Sequence, residues 1–111
     1  RINPVTSNID KLVNEKKTIE NINLYDAYPN PFNSSVVIEY QIEKTANITI
    51  RLINLDGKTL FKKNIKNKSA GEYIFKWNGK SATGEKYPSG VYIFSILSNG
   101  TSRSKKFAYL K

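Results

Sequence analysis

From Leu24 onward, apolar and polar residues alternate along the chain with period two. Val36, Ile38, Tyr40 and Ile42 fall on one side with Val37, Glu39 and Gln41 between them, the pattern of a half-buried strand. Ile48, Ile50 and Leu52 alternate with Thr49 and Arg51, and Tyr73, Phe75 and Trp77 with Ile74 and Lys76. Residues 58–65 are less regular: Leu60, Phe61 and Ile65 are mixed with Lys62 and Lys63, as suits an edge strand whose charges discourage pairing with other chains. Residues 91–97 are apolar on both faces, the signature of a central strand, and residues 102–110 return as the last one. The turns are marked as clearly. Asp56-Gly57 and Asn99-Gly100 fit tight hairpins, where glycine accepts a positive φ, and Asn78-Gly79 closes the strand that ends at Trp77.

With Leu24–Tyr28 included, seven short strands and no long helical pattern predict an all-β sandwich of immunoglobulin-like size over residues 24–111. The chain has no cysteine, so the Cys…Trp…Cys spacing of antibody domains is absent. Residues 1–23 are more polar. Ile9, Leu12, Val13 and Ile19 hint at a helical turn or two, but the segment reads as a linker or N-terminal extension. Tyr73, Phe75 and Trp77 share a face and are expected in the core. So is Phe61, the single aromatic among the lysines of its strand.

Composition narrows the function. The 111 residues contain neither Cys nor His, which removes thiol nucleophiles, imidazole bases and most transition-metal chemistry. No nucleophile–base–orienter set can be assembled from what remains, so no enzyme activity and no cofactor are expected. Residues 78–85 briefly look like a calcium loop, but they hold one carboxylate, Glu85, with Lys80 in their midst. A structural loop is the better reading. The net charge of +9 is uneven: residues 24–111 hold fourteen Lys or Arg against six Asp or Glu. Such a surface attracts nucleic acid, lipopolysaccharide or an acidic protein at low salt. Lys58, Lys62, Lys63, Lys66 and Lys68 form the densest cluster. With only Phe61 interleaved, they are a poor base-stacking surface, so nucleic acid is the least favoured partner.

Ahead of most of the strands stands Tyr28-Pro29-Asn30-Pro31-Phe32-Asn33. Prolines lack a backbone donor and bias their predecessors away from helix, so a rigid, extended lead-in to the sheet is expected. Taken with Asn54-Leu55-Asp56-Gly57-Lys58, Gly90-Val91-Tyr92 and Lys106 before the last strand, the segment resembles the C-terminal sorting domain (type A) of proteins exported by the bacterial type IX secretion system. The similarity covers residues 24–111. It implies a sorting signal that directs a larger upstream cargo through periplasm and outer membrane to the cell surface. It further implies recognition by the outer-membrane translocon, removal by a sortase-like cysteine peptidase acting before Leu24, and attachment of cargo to anionic lipopolysaccharide. Pro29, Asn30, Pro31, Gly57, Lys58, Gly90, Tyr92, Lys106 and Lys111 are the motif positions. The prolines, the two glycines and Tyr92 are expected to hold the fold, and the three lysines to make contact. The immunoglobulin-like domain of flagellar hook-capping proteins is similar too, and offers the alternative of a structural assembly or interaction module. A last strand ending at the chain end favours the sorting signal.

Overall fold

The computed structural model describes residues 22–111. Seven strands follow in order: β1 (Ile22–Leu24), β2 (Val36–Ile42), β3 (Ala46–Asn54), β4 (Thr59–Lys68), β5 (Gly71–Trp77), β6 (Gly90–Ser98) and β7 (Thr101–Tyr109). They form a three-stranded sheet, β1-β2-β5, and a four-stranded sheet, β4-β3-β6-β7. Every strand pair is antiparallel. The two sheets make the sandwich that the alternation predicts.

Alternation becomes packing because a period of two sends every second side chain to one face. Val36, Ile38, Tyr40 and Ile42 are all buried, as are Ile48, Ile50 and Leu52 of β3 and Tyr92, Phe94 and Ile96 of β6. Phe94 bridges the layers, its ring 4.8 Å from that of Phe75 and 6.3 Å from that of Tyr40. A one-residue slip would turn these sets to solvent, which pins the register. The turns follow their residues as well. Asn99 (φ 53°) and Gly100 (φ 79°) form the two-residue link between β6 and β7. The β3–β4 link is a four-residue loop, Leu55 to Lys58, in which Gly57 N–H donates to Asn54 C=O at 3.0 Å and Gly57 takes φ 84°, a left-handed glycine within the turn.

Two expectations are corrected. The first strand is Ile22–Leu24 rather than Leu24–Tyr28. Ile22 is buried opposite Ile42, and the ladder breaks where Ala27 turns into the core, leaving Tyr28 as an isolated bridge to Val37. Sheet pairing thus reaches two residues beyond the expected boundary; the rest of the linker expected over residues 1–23 lies outside the described residues. Phe61 is the second: it is 42% exposed. It pairs with Leu52 and shares that residue's inward face. But β4 overhangs a partner sheet one strand narrower, so Phe61 meets only the rim, 5.7 Å from the Phe75 ring. A bulge at Leu60 turns that residue toward the core instead. The edge position of β4 is as expected, with Lys62, Lys63 and Lys66 exposed along it.

Candidate functional site

The Pro-Asn-Pro-Phe segment does not run straight into a strand. It bends, and carries the chain from one sheet to the other. At Tyr28 it is paired to the three-stranded sheet, exchanging hydrogen bonds of 2.9 and 2.8 Å with Val37. Residues 29–31 form the bend, and both X–Pro bonds in it are cis. At Phe32 the chain has joined the four-stranded sheet, parallel to the end of β7: Phe32 N–H donates to Ala108 C=O at 2.9 Å, and Leu110 N–H to Phe32 C=O at 2.8 Å. No ladder donor is needed at the crossing, which is where a proline costs nothing. Asn30 fills the gap, its side-chain oxygen accepting the Ala108 N–H at 2.9 Å.

Phe32 is the pin of this clasp. It is 2% exposed and stacked on Tyr109 with centroids 4.6 Å apart. Trp77 and Phe107 each lie 5.8 Å away. Trp77 is buried as expected and donates its indole N–H to Lys80 C=O at 3.1 Å, so its polar atom is satisfied.

Strand register brings most of the motif positions to the clasp end. Asn54 pairs with Tyr92, and Gly90 with Tyr109, so the β3–β4 turn, the start of β6 and the end of β7 lie together. Gly57 and Lys58 sit in that turn, held by Asn54, whose side-chain oxygen accepts from Asp56 N–H and Lys58 N–H at 3.0 and 2.9 Å. Lys58 projects into solvent. The Lys111 N–H donates to Ser89 Oγ at 2.9 Å, tying the chain end to the approach to β6. Lys106 stands apart, and it lies within the last strand rather than before it, exposed on the outer face of β7 opposite Ile93. Gly90 has an ordinary φ and open space around it, so nothing in the structure requires glycine there. Beside the clasp lies an open groove of about 500 Å³ lined by Pro29, Pro31, Phe32, Asn33, Leu110 and Lys111.

Tyr92 has a defined task. Its ring is buried and its hydroxyl donates to Pro88 C=O at 2.5 Å, the tyrosine corner of immunoglobulin-like sandwiches. Burial, then the neighbouring Tyr109 and Tyr87 hydroxyls, hold its pKa above the ordinary 10.0. Burial, then Tyr73, does the same for Tyr40. A raised phenol pKa is stability present below the unfolded-state value and lost as pH rises through the folded one. Melting temperature is therefore expected to fall from about pH 10 upward, and Tyr92→Phe to flatten that fall. At neutral pH the same variant leaves Pro88 C=O without its partner and should cost about 1 kcal/mol. An unchanged alkaline slope would contradict the assignment.

The loop after Trp77 is organised by itself. Asn78 Oδ1 accepts from Lys80 N–H at 3.0 Å, and Ser81 Oγ accepts from Thr83 N–H and Glu85 N–H at 3.3 Å each. Among the described residues no three metal-ligating side chains come together. Sequence reasoning left three residues that build the site out of its motif positions: Phe32, quoted in the proline segment without a role of its own, Tyr109, and Gly79, whose absent side chain makes room for the Tyr109 ring. Phe32 had a signal, being the first large apolar residue after the prolines.

Residues 26–109 match the model of the family described as the secretion system C-terminal sorting domain. Among curated proteins none matches the chain. Among solved structures, the chain is similar to part of PorZ, a bacterial surface component of the type IX secretion system of Porphyromonas gingivalis (23% identity, TM-score 0.57, covering 79% of this chain and 11% of that one). Latent PorU of the same organism gives 17% identity and a TM-score of 0.60, covering 80% and 9%. FlgD of Pseudomonas aeruginosa gives 18% and 0.53, covering 78% and 67%. At these identities the structural likenesses establish the fold. The chain spans about a tenth of the length of PorZ and PorU.

Proposed function

The chain belongs to the family of secretion system C-terminal sorting domains, and from that premise we propose that the clasp end of its sandwich is what the type IX apparatus reads. The domain directs secretion of a cargo protein, and its family is generally non-catalytic. The finer reading is that the outer-membrane translocon contacts Lys58, Lys111 and the groove between the prolines and Leu110. A sortase-like cysteine peptidase then removes the domain. Because Ile22 is paired into the sheet, the cut is assigned to a position upstream of it. The cargo is a domain preceding this one in the same protein, delivered to the cell surface and joined to anionic lipopolysaccharide. No catalysis and no cofactor are assigned to the domain itself.

The observation that carries this reading is convergence. Pro29, Asn30, Pro31, Gly57, Lys58, Gly90, Tyr92 and Lys111 are scattered over the sequence yet meet at one end. Backbone-shaping residues there present two exposed ammonium groups and a half-exposed Leu110 to a partner. The assembly-module alternative rests on likeness of fold to hook-capping proteins, and the family match favours sorting.

The test is a reporter fused ahead of residues 1–111 in a type IX-competent bacterium. Lys58→Glu with Lys111→Glu should keep the melting temperature within a few degrees, since surface changes cost little. Surface delivery should drop by about tenfold or more, as expected when two contact charges are reversed. Delivery equal to the parent would remove the clasp end from consideration, and loss of a folded domain would be visible separately in the melt.

A further inference from the structure

Charge is divided between the two sheets. The four strands of the larger sheet carry Arg51, Lys62, Lys63, Lys66, Lys68, Arg103, Lys105 and Lys106 and no Asp or Glu at all. The strands of the smaller sheet carry Glu39, Glu72 and Lys76. Apolar residues on the larger sheet's outer face are as ordered. Since Leu52, Tyr92, Phe94 and Phe107 point inward, their neighbours Ile53, Val91, Ile93 and Leu97 point outward. Those four are half-buried, and no element of the described residues covers them. Arg51 and Lys62 stand side by side on one flank of this stripe, and Lys106 stands on the other. Ser95, paired with both Arg51 and Ser104, is 3% exposed, so the middle of the face is closely packed.

We propose that this outer face docks an acidic protein surface, separately from the clasp end. An apolar centre with a charged rim is how protein interfaces are built. At about 30 Å long and on the order of 600 Å², the face has the size of a transient one. Its chemistry argues against the other polyanions. Every aromatic of β6 and β7 points inward, so nucleic acid bases and sugar rings find no stacking platform. The aliphatic residues are half-buried, which leaves little apolar surface to enter a lipid layer. A second copy of this chain is disfavoured because residues 24–111 carry a net +8, which repels like molecules. The partner is therefore a protein with carboxylates around an apolar patch. The inference does not depend on how the clasp end is read.

The experiment places a photo-crosslinking residue at Ile93, or at Ile74 on the opposite sheet as the control, in the purified full chain. Each is illuminated with solubilised outer membranes from a type IX-competent bacterium, with lipopolysaccharide vesicles, and with duplex DNA. A discrete protein adduct at position 93 is expected, with Asp and Glu in the crosslinked peptide and much weaker labelling at 74. Arg51→Gln, Lys62→Gln and Lys106→Gln together should cut that adduct by about tenfold at physiological salt while circular dichroism and melting stay unchanged. No protein adduct, equal labelling at 93 and 74, an adduct insensitive to the triple change, or a preference for lipopolysaccharide or DNA would each overturn the proposal. Reporter export, measured independently, judges the sorting role, so either can fail alone.

Discussion

Replacing Phe32 by alanine is expected to destabilise the domain by about 3–5 kcal/mol, the usual cost of emptying a buried phenylalanine site. Against a total stability of about 5–15 kcal/mol, that is enough to leave a substantial unfolded fraction. The site cannot collapse easily. Phe32 touches Trp77, Phe107 and Tyr109 at once, and those rings are held by strands of both sheets. The backbone on either side is fixed too, since residues 30 and 32 carry the bonds to Ala108 and Leu110. Denaturant midpoints measure the loss, and hydrogen exchange locates it: amides of Ala108 and Leu110 should lose protection before those of β3 and β6. Phe32→Leu should cost clearly less, because the volume is largely kept. A Phe32→Ala protein within about 1 kcal/mol of the parent, below the range for a buried ring, would mean that the clasp is not what closes this end.

The strands were readable because their physics is local. Alternation in β2, β3 and β5 needs only a single face to be buried, and the Asn99-Gly100 turn needs only residues tolerant of positive φ. Long-range consequences were not readable. The overhang that exposes Phe61 depends on the two sheets having different numbers of strands. The break at Ala27 depends on a core that later strands supply. For the site, the sequence marked Pro29 to Phe32 as special, but as a straight lead-in. That its far end pairs with β7, the last strand in the chain, follows from a contact between residues 76 positions apart, Phe32 and Ala108. Tyr92 was placed among the residues that hold the fold, and its bond to Pro88 gives the reason. Gly90 was placed there as well, and the structure offers none. Gly79 was read as a strand terminator, when its larger role is the space it leaves.

Gly79→Ala should be the most damaging change of a single methyl group in this domain. Gly79 has φ 77°, where a side chain is strained, and that alone costs about 1 kcal/mol. A Cβ there would lie 2.5 Å from Tyr109 Cζ, 2.8 Å from Cε2 and 2.9 Å from the hydroxyl oxygen. The ring cannot step aside, for it is 1% exposed and stacked on Phe32, and overpacking of this kind costs about 1–3 kcal/mol more. A total of about 2–4 kcal/mol is expected, read from equilibrium unfolding. Gly84 supplies the control, being a loop glycine of φ 92° with nothing near its missing Cβ. Gly84→Ala carries the backbone term alone, about 1 kcal/mol. The difference between the two variants isolates the collision with Tyr109, and Tyr109→Leu should relieve much of it in the Gly79→Ala background. If the two glycine variants lose equal stability, the packing of the last strand against the loop after Trp77 is looser than the structure requires. The clasp would then owe its closure to Phe32 alone.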